Sequence, residues 1–117
     1  YCGDDMSCLT DIAWYWDNSE GQSHPVATKT ENAWGLYDMA GNIWEWTADW
    51  YHGSYYSQAP AGGWVNPQGP DSGEYRVLRG GSWYTDYPWG LRSSFRFRSL
   101  DPSLRSLDVG FRCSESH

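Results

Sequence analysis

Positive charge is scarce in this chain. Eight Lys and Arg stand against 15 Asp and Glu, giving a formal net charge of -7, and the isoelectric point is about 4.6. Such a balance argues against phosphate backbones, and so against nucleic acid, and against anionic membrane surfaces; it suits a bound cation. Long apolar runs are missing too. None approaches the roughly 20 residues that cross a bilayer, so no membrane insertion is expected. The N-terminal "YCGDDMSCLT" has no basic region followed by an apolar stretch and does not read as a secretory leader. Cysteine is limited to Cys2, Cys8 and Cys113, an odd count that leaves at least one thiol unpaired or paired outside the chain. A Cys2–Cys8 disulfide in an oxidising compartment and buried free thiols in a reducing one both remain open. The Cys2–Cys8 spacing, without His partners, is poor zinc-site chemistry. There is no internal repeat, no Ser/His/Asp spacing and no phosphate-binding Gly loop; "GGWVNPQGP" is a turn sequence.

What the chain does have is aromatic side chains. They make up 18% of the residues, although the mean hydropathy is -0.74. Solvated disordered chains are poor in aromatics, so this is a folded protein, with a core expected to be Trp and Tyr rather than Leu and Ile. The 13 Gly and 6 Pro are spread along the sequence and imply many turns and few long helices. A length of 117 residues suits one domain, 1–117, and not two.

From Tyr1 to about Asn32 the sequence reads as irregular, pinned by Trp14 and Trp16. A turn or single helical turn follows at "LYDMA", between Gly35 and Gly41. "NIWEWTADWY" then alternates, placing Trp44, Trp46, Ala48 and Trp50 on one face and Ile43, Glu45, Thr47 and Asp49 on the other. Period two with aromatic and β-branched residues predicts a half-buried strand with the Trp face inward. Residues from about His52 to Gly73 form a Gly/Pro/Ser-rich loop, of a length that is functional or mobile. "EYRVLRGGSW" reads as a second strand, in which Gly80 and Gly81 permit close backbone approach or a bulge. "WGLRSSFRFRS" reads as a short helix or turn, and "DVGFRC" as a third strand with Cys113 in the core. His24, His52 and His117 read as surface residues. Arg79, Arg92, Arg96 and Arg105 read as residues that lock loops.

Three blocks, "GLYDMAGNIWEWTADWY", "RVLRGGSW" and "VGFRC", occur in an order and spacing that resemble the C-terminal half of the formylglycine-generating enzyme (sulfatase-modifying factor) family. The resemblance runs from about Asn32 to Cys113 and more weakly back to Tyr1. It implies an α+β, C-type-lectin-like fold, loop-rich with few short strands and little helix. The family domain is longer, and its N-terminal half has no counterpart here; a missing segment, or an oligomer, is an open expectation. Catalysis in that family uses a copper-binding cysteine pair, and alignment on "RGGSW" puts those positions at Thr85 and Gly90. Neither can be a thiolate, so neither copper binding nor enzymatic activity is expected.

The same blocks resemble a second group, the variable proteins of diversity-generating retroelements, which share the fold but bind targets. In these a reverse transcriptase randomises adenines, mostly in Asn codons, so that Tyr, Thr, Asp, Ser, Phe, Leu and Gly are reachable while Lys, Glu, Gln, Met and Trp are not. The pattern can be laid over Tyr84, Thr85, Asp86, Tyr87, Gly90, Phe95, Phe97, Ser99, Leu100, Asp101, Ser103, Leu104, Ser106, Leu107 and Asp108 as variable, ligand-binding positions. Trp83, Trp89, Leu91, Arg92, Arg96, Pro102 and Arg105 would be scaffold. Lys, Glu, Gln and Met are absent between Tyr84 and Asp108. Tyr and Phe offer large contact areas at low entropy cost, while Ser, Thr, Asp and Gly adapt, which is the chemistry of a paratope. Leu100, Leu104 and Leu107, if exposed together, would add an apolar patch.

The expected function is therefore recognition of a protein or glycan target through a hypervariable surface. The alternatives are a sulfatase-modifying-factor relative that has lost its catalytic cysteines, and an enzyme whose metal ligands lie in the absent half. The resemblance implies a location at the cell surface, outside the cell or on a phage particle rather than in the cytoplasm. It also implies structural Ca²⁺, held by the Asp38 and Glu45 carboxylates and the Gly41 and Ile43 carbonyls. The competing reading has Asp38 capping the turn and Glu45 pairing with Arg79 or Arg112.

Overall fold

A computed structural model describes residues 6–98, 101, 103 and 105–114. Four strands form one sheet: β1 (Trp44–Trp50), β2 (Arg76–Arg79), β3 (Phe97–Arg98) and β4 (Val109–Phe111), in the order β3-β2-β1-β4. β1 and β2 are antiparallel, with Glu45 opposite Arg79, Trp46 opposite Leu78 and Trp50 opposite Arg76. The four-residue advance on β1 against two on β2 is a bulge beyond Trp46, where Thr47 Oγ1 donates to the Val77 carbonyl at 3.2 Å. β4 lies parallel to β1, with Trp44 opposite Val109 and Trp46 opposite Phe111. A parallel pair needs a long crossover, and here residues 51–108 supply it. That crossover carries β2, β3 and the candidate binding segment.

Among the described residues the one α-helical turn, α1 (Leu9–Ile12), follows a 3₁₀ turn at Met6–Cys8, in a stretch expected to be irregular. "LYDMA" forms no helix; its chain turns through Asp38 at φ 53. Pro88–Leu91 is a 3₁₀ turn. Residues from His52 to Gly73 form the expected long loop, relieved by a 3₁₀ turn at Tyr56–Gln58. Among the described residues no helix is long and apolar enough to cross a membrane.

The core corrects the composition-based expectation. The buried apolar residues are Leu9, Ala13, Ala40, Trp44, Val77, Leu78 and Leu91, so Trp44 is the one buried aromatic among the described residues. Four short strands enclose too little volume for nine Trp. The others are half-buried (Trp14, Trp46, Trp50 and Trp83) or exposed (Trp16, Trp34, Trp64 and Trp89). On β1, Ala48 is exposed and Trp46 and Trp50 are half-buried, so the inward face holds at its Trp44 end only. Cys113 is exposed and its thiol is free, not in the core. It lies beyond Phe111, where pairing with β1 stops. Cys8 is disulfide-bonded; Cys2 lies outside the described residues.

Backbone junctions tie the irregular N-terminal segment to the sheet. Asn42 N–H donates to the Trp14 carbonyl at 2.7 Å, Trp83 N–H to the Asn42 carbonyl at 2.8 Å, and Gly41 N–H to the Gly80 carbonyl at 2.8 Å. The Asn42 side chain adds two bonds to the His24 backbone, at 2.9 and 3.0 Å. Gly41 has φ +77, and a Cβ there would stand 2.2 Å from the Trp14 oxygen, so only glycine allows this approach. His24 is half-buried rather than a free surface residue. Its ring stacks on Trp14 with centroids 3.7 Å apart and bonds the Ser19 carbonyl at 2.8 Å. His52 is exposed, as expected.

Candidate functional site: an aromatic cleft beside the sheet

The chain leaves β2 through Gly80 and Gly81 and turns tightly at Ser82–Thr85. Thr85 N–H donates to the Ser82 carbonyl at 3.0 Å, and Ser82 N–H donates to Thr85 Oγ1 at 2.9 Å. The Thr85 carbonyl accepts from Trp16 N–H at 3.2 Å, which brings the N-terminal segment alongside. Thr85 is therefore a buried turn-former, 3% exposed rather than exposed as expected, and it is among the residues that line the aromatic cleft. Gly90 is buried as well. A Cβ on it would lie 2.2 Å from Tyr87 Cε2, so its place is under the Tyr87 ring rather than on the surface.

The remaining predicted residues divide by position. Tyr84, Asp86, Tyr87, Phe97, Ser106 and Asp108 line one cleft of about 360 Å³, with the Thr85 turn at its base. Its other walls are Trp16, Trp44, Trp46, Leu78, Ser82 and Val109, none of them proposed as site residues from sequence. The "AWYWDN" cluster and the alternation of β1 were the signals for the three Trp. Tyr84 is 59% exposed and meets Trp16 edge-on at 5.2 Å. Phe97 stacks on Trp44 at 5.3 Å. Phe95 stands behind the cleft, within 6.1 Å of both Trp44 and Tyr87. Tyr87 stacks on Trp89 at 4.2 Å, so the scaffold tryptophan supports a cleft residue. Arg79 locks this region as expected, donating to the Ser93 carbonyl at 2.8 Å and the Phe95 carbonyl at 3.3 Å.

Asp101, Ser103 and Leu107 do not line the cleft. They are exposed, Leu107 at 89%. Asp101 accepts from Ser103 N–H at 2.7 Å and from its hydroxyl at 2.8 Å, and these bonds hold its carboxyl below the usual range. Ser99, Leu100 and Leu104 lie outside the described residues.

Among the described residues, no cationic side chain lines the cleft. Asp108 accepts from Ser82 Oγ at 3.2 Å and from Ser106 Oγ, and its carbonyl accepts from Trp44 N–H at 2.7 Å. Asp86 is exposed. Burial pushes the Tyr87 phenol pKa up, and the Asp86 charge adds to it.

The second predicted site is a separate cleft that shares no lining residue with the first. Asp38, Gly41, Ile43 and Glu45 line a cleft of about 390 Å³ together with Arg112. Both Glu45 oxygens accept from Arg112, at 2.7 to 3.1 Å, and Arg112 Nη2 also donates to the Asp38 carbonyl at 3.0 Å. Asp38 Oδ2 accepts from Ala27 N–H at 2.7 Å, whereas Oδ1 is buried with no hydrogen-bond partner. A buried carboxylate oxygen without a partner is costly and fits a cation ligand. No three His, Cys, Asp or Glu side chains gather among the described residues. A cation here would therefore rest on two carboxylates and two carbonyls, with Glu45 shared with Arg112.

Residues 5–117 match the sulfatase-modifying factor enzyme 1-like domain. The chain belongs to that family. It is 41% identical over 91 residues to a formylglycine-generating enzyme of Streptomyces coelicolor, covering 77% of this chain and 28% of that protein. It is 34% identical over 103 residues to the inactive C-alpha-formylglycine-generating enzyme 2 of Mus musculus, covering 86% and 28%. Among solved structures it is similar to Treponema denticola variable protein 1, with a TM-score of 0.72, 35% identity, and coverage of 90% of this chain and 36% of that one. It is also similar to PvdO from Pseudomonas aeruginosa, with a TM-score of 0.69, 34% identity, and coverage of 87% and 38%. The fold of this sulfatase-modifying-factor-family chain is thus the C-type-lectin-like fold of the formylglycine-generating enzyme type. The chain spans 28% of the length of the two curated relatives named here.

Proposed function

We propose that this chain recognises a target non-covalently at the aromatic cleft, and that the segment from Tyr84 to Asp108 is a diversified binding surface. The observation that carries the reading is the convergence of Tyr84, Asp86, Tyr87, Phe97, Ser106 and Asp108 on one cleft, from both ends of the segment. Rigid rings supply buried area and the polar neighbours supply selectivity. On the resemblance to the formylglycine-generating enzymes, the paired thiols fall at Thr85 and Gly90, which carry no thiol and are both buried. Likeness to a variable protein and to an inactive member of the family supports a non-enzymatic role. Ca²⁺, bound through Asp38 and Glu45, would brace the turn before β1 without taking part in recognition.

Binders selected from a random peptide library against the wild-type chain test the reading. Tyr84→Ala and Phe97→Ala are each expected to weaken the selected binders about tenfold or more. Tight Cu(I) binding, or oxidation of a substrate thiol by the chain, would overturn it.

A further inference from the structure

Aromatic rings elsewhere on this protein already carry cations. Arg76 lies 3.5 Å from the Trp50 ring centroid, Lys29 Nζ 3.8 Å from Trp14, Arg96 4.4 Å from Tyr56 and Arg98 4.7 Å from Tyr75. The cleft is built differently. Trp16, Trp46, Tyr84 and Tyr87 line it together with Asp86 and Asp108, and among the described residues no Arg, Lys or His lines it. The contacts that Asp108 accepts come from Ser82 and Ser106 hydroxyls, which satisfy oxygens but leave the charge in place.

We propose that the cleft receives an arginine side chain presented by a protein partner. The proposal rests on the recognition reading above and specifies its ligand. A guanidinium is planar, stacks on aromatic faces and donates in a fork that matches a carboxylate. Its methylene stem packs against apolar walls such as Leu78 and Val109 while the head reaches the acids. At about 360 Å³ the cleft has the size of a small-group site. A neutral glycan would leave both carboxylates uncompensated, and an anionic ligand would be repelled by the chain's net charge of -7.

The peptide Ac-Gly-Arg-Gly-amide, titrated into the full chain and followed by the indole N–H signals of Trp16 and Trp46 in ¹H–¹⁵N spectra, tests this. Saturable shifts are expected, with the isosteric citrulline peptide binding about tenfold more weakly. Asp86→Asn, at an exposed position, and Asp108→Asn should each reduce affinity about three- to tenfold, and binding should weaken between about 50 and about 500 mM NaCl. Equal binding of the citrulline peptide, or no loss in either variant, would overturn the proposal. So would shifts produced by lactose but not by the arginine peptide. If library-selected binders still lose affinity on Tyr84→Ala while the arginine peptide leaves the indoles unmoved, recognition at the cleft stands and the arginine specificity falls.

Discussion

Replacing Gly90 with alanine probes how the cleft wall is built. The new methyl would lie 2.2 Å from Tyr87 Cε2, 2.6 Å from Cδ2 and 3.1 Å from Thr85 Cγ2. Gly90 does not have a positive φ, so backbone strain is not the issue. The ring has to move, and moving it breaks the 4.2 Å stack on Trp89 and the edge contact with Phe95. The stack alone is worth roughly 0.5–1.5 kcal/mol, and overpacking a filled site costs typically 1–3 kcal/mol. Gly90→Ala should therefore destabilise by about 2 kcal/mol, lowering Tm by about 8 °C for a domain of this size. In a Tyr87→Ala background the same change should cost less than about 0.5 kcal/mol, because the ring is gone and alanine restricts the unfolded chain. Urea unfolding of the four proteins in the cycle, at constant m, gives the coupling directly. An equal cost of Gly90→Ala in both backgrounds would refute the packing of Tyr87 over Gly90.

Other consequences follow from the same geometry. Millimolar Ca²⁺ should raise Tm relative to EDTA by about 4 °C, corresponding to about 1 kcal/mol, and Asp38→Asn should abolish the difference; an unchanged difference in the variant would place any bound Ca²⁺ elsewhere. Tyr87 titrates above its ordinary value in the folded state, so its contribution is full below the unfolded phenol pKa near 10 and is lost as pH rises through the folded value. Ultraviolet difference titration against Tyr87→Phe should reveal one late-titrating phenol, which persists in Asp86→Asn because burial is the main cause. Glu45→Gln should cost only about 0.5–1 kcal/mol in denaturant unfolding, because the pair with Arg112 is partly exposed, at 22% and 35%; a cost of several kcal/mol would contradict that solvation.

Where local chemistry decides structure, the sequence was readable. Alternation in "NIWEWTADWY" located β1, and "EYRVLRGGSW" and "DVGFRC" located β2 and β4, each observed strand being shorter than its block: Trp44–Trp50, Arg76–Arg79 and Val109–Phe111. β3 escaped because two residues carry no period, and the first turn of α1 is too short for an apolar stripe. Composition misled about the core. Trp counts as apolar, yet all but Trp44 are half-buried or exposed here. Thr85 looked like an adaptable surface hydroxyl, but that hydroxyl closes the Ser82 turn, a role that depends on three-dimensional context. Gly90 looked diversifiable until a neighbouring ring occupied its Cβ space. Tyr84 to Tyr87, named from the resemblance to variable proteins, line one cleft, while Trp16 joins them through a single backbone bond to Thr85, which sequence spacing cannot reveal.

The most direct test compares two aromatic surfaces in one binding assay with library-selected ligands. One is the cleft, probed with Tyr84→Ala, Tyr87→Ala and Phe97→Ala. The other is the stacked Tyr55–Trp64 pair on the long loop, centroids 5.0 Å apart, probed with Tyr55→Ala. Losses of about tenfold or more are expected for the cleft variants and a change within about twofold for Tyr55→Ala. The reverse pattern, with binding lost at Tyr55 and kept at the cleft, would contradict recognition at the cleft.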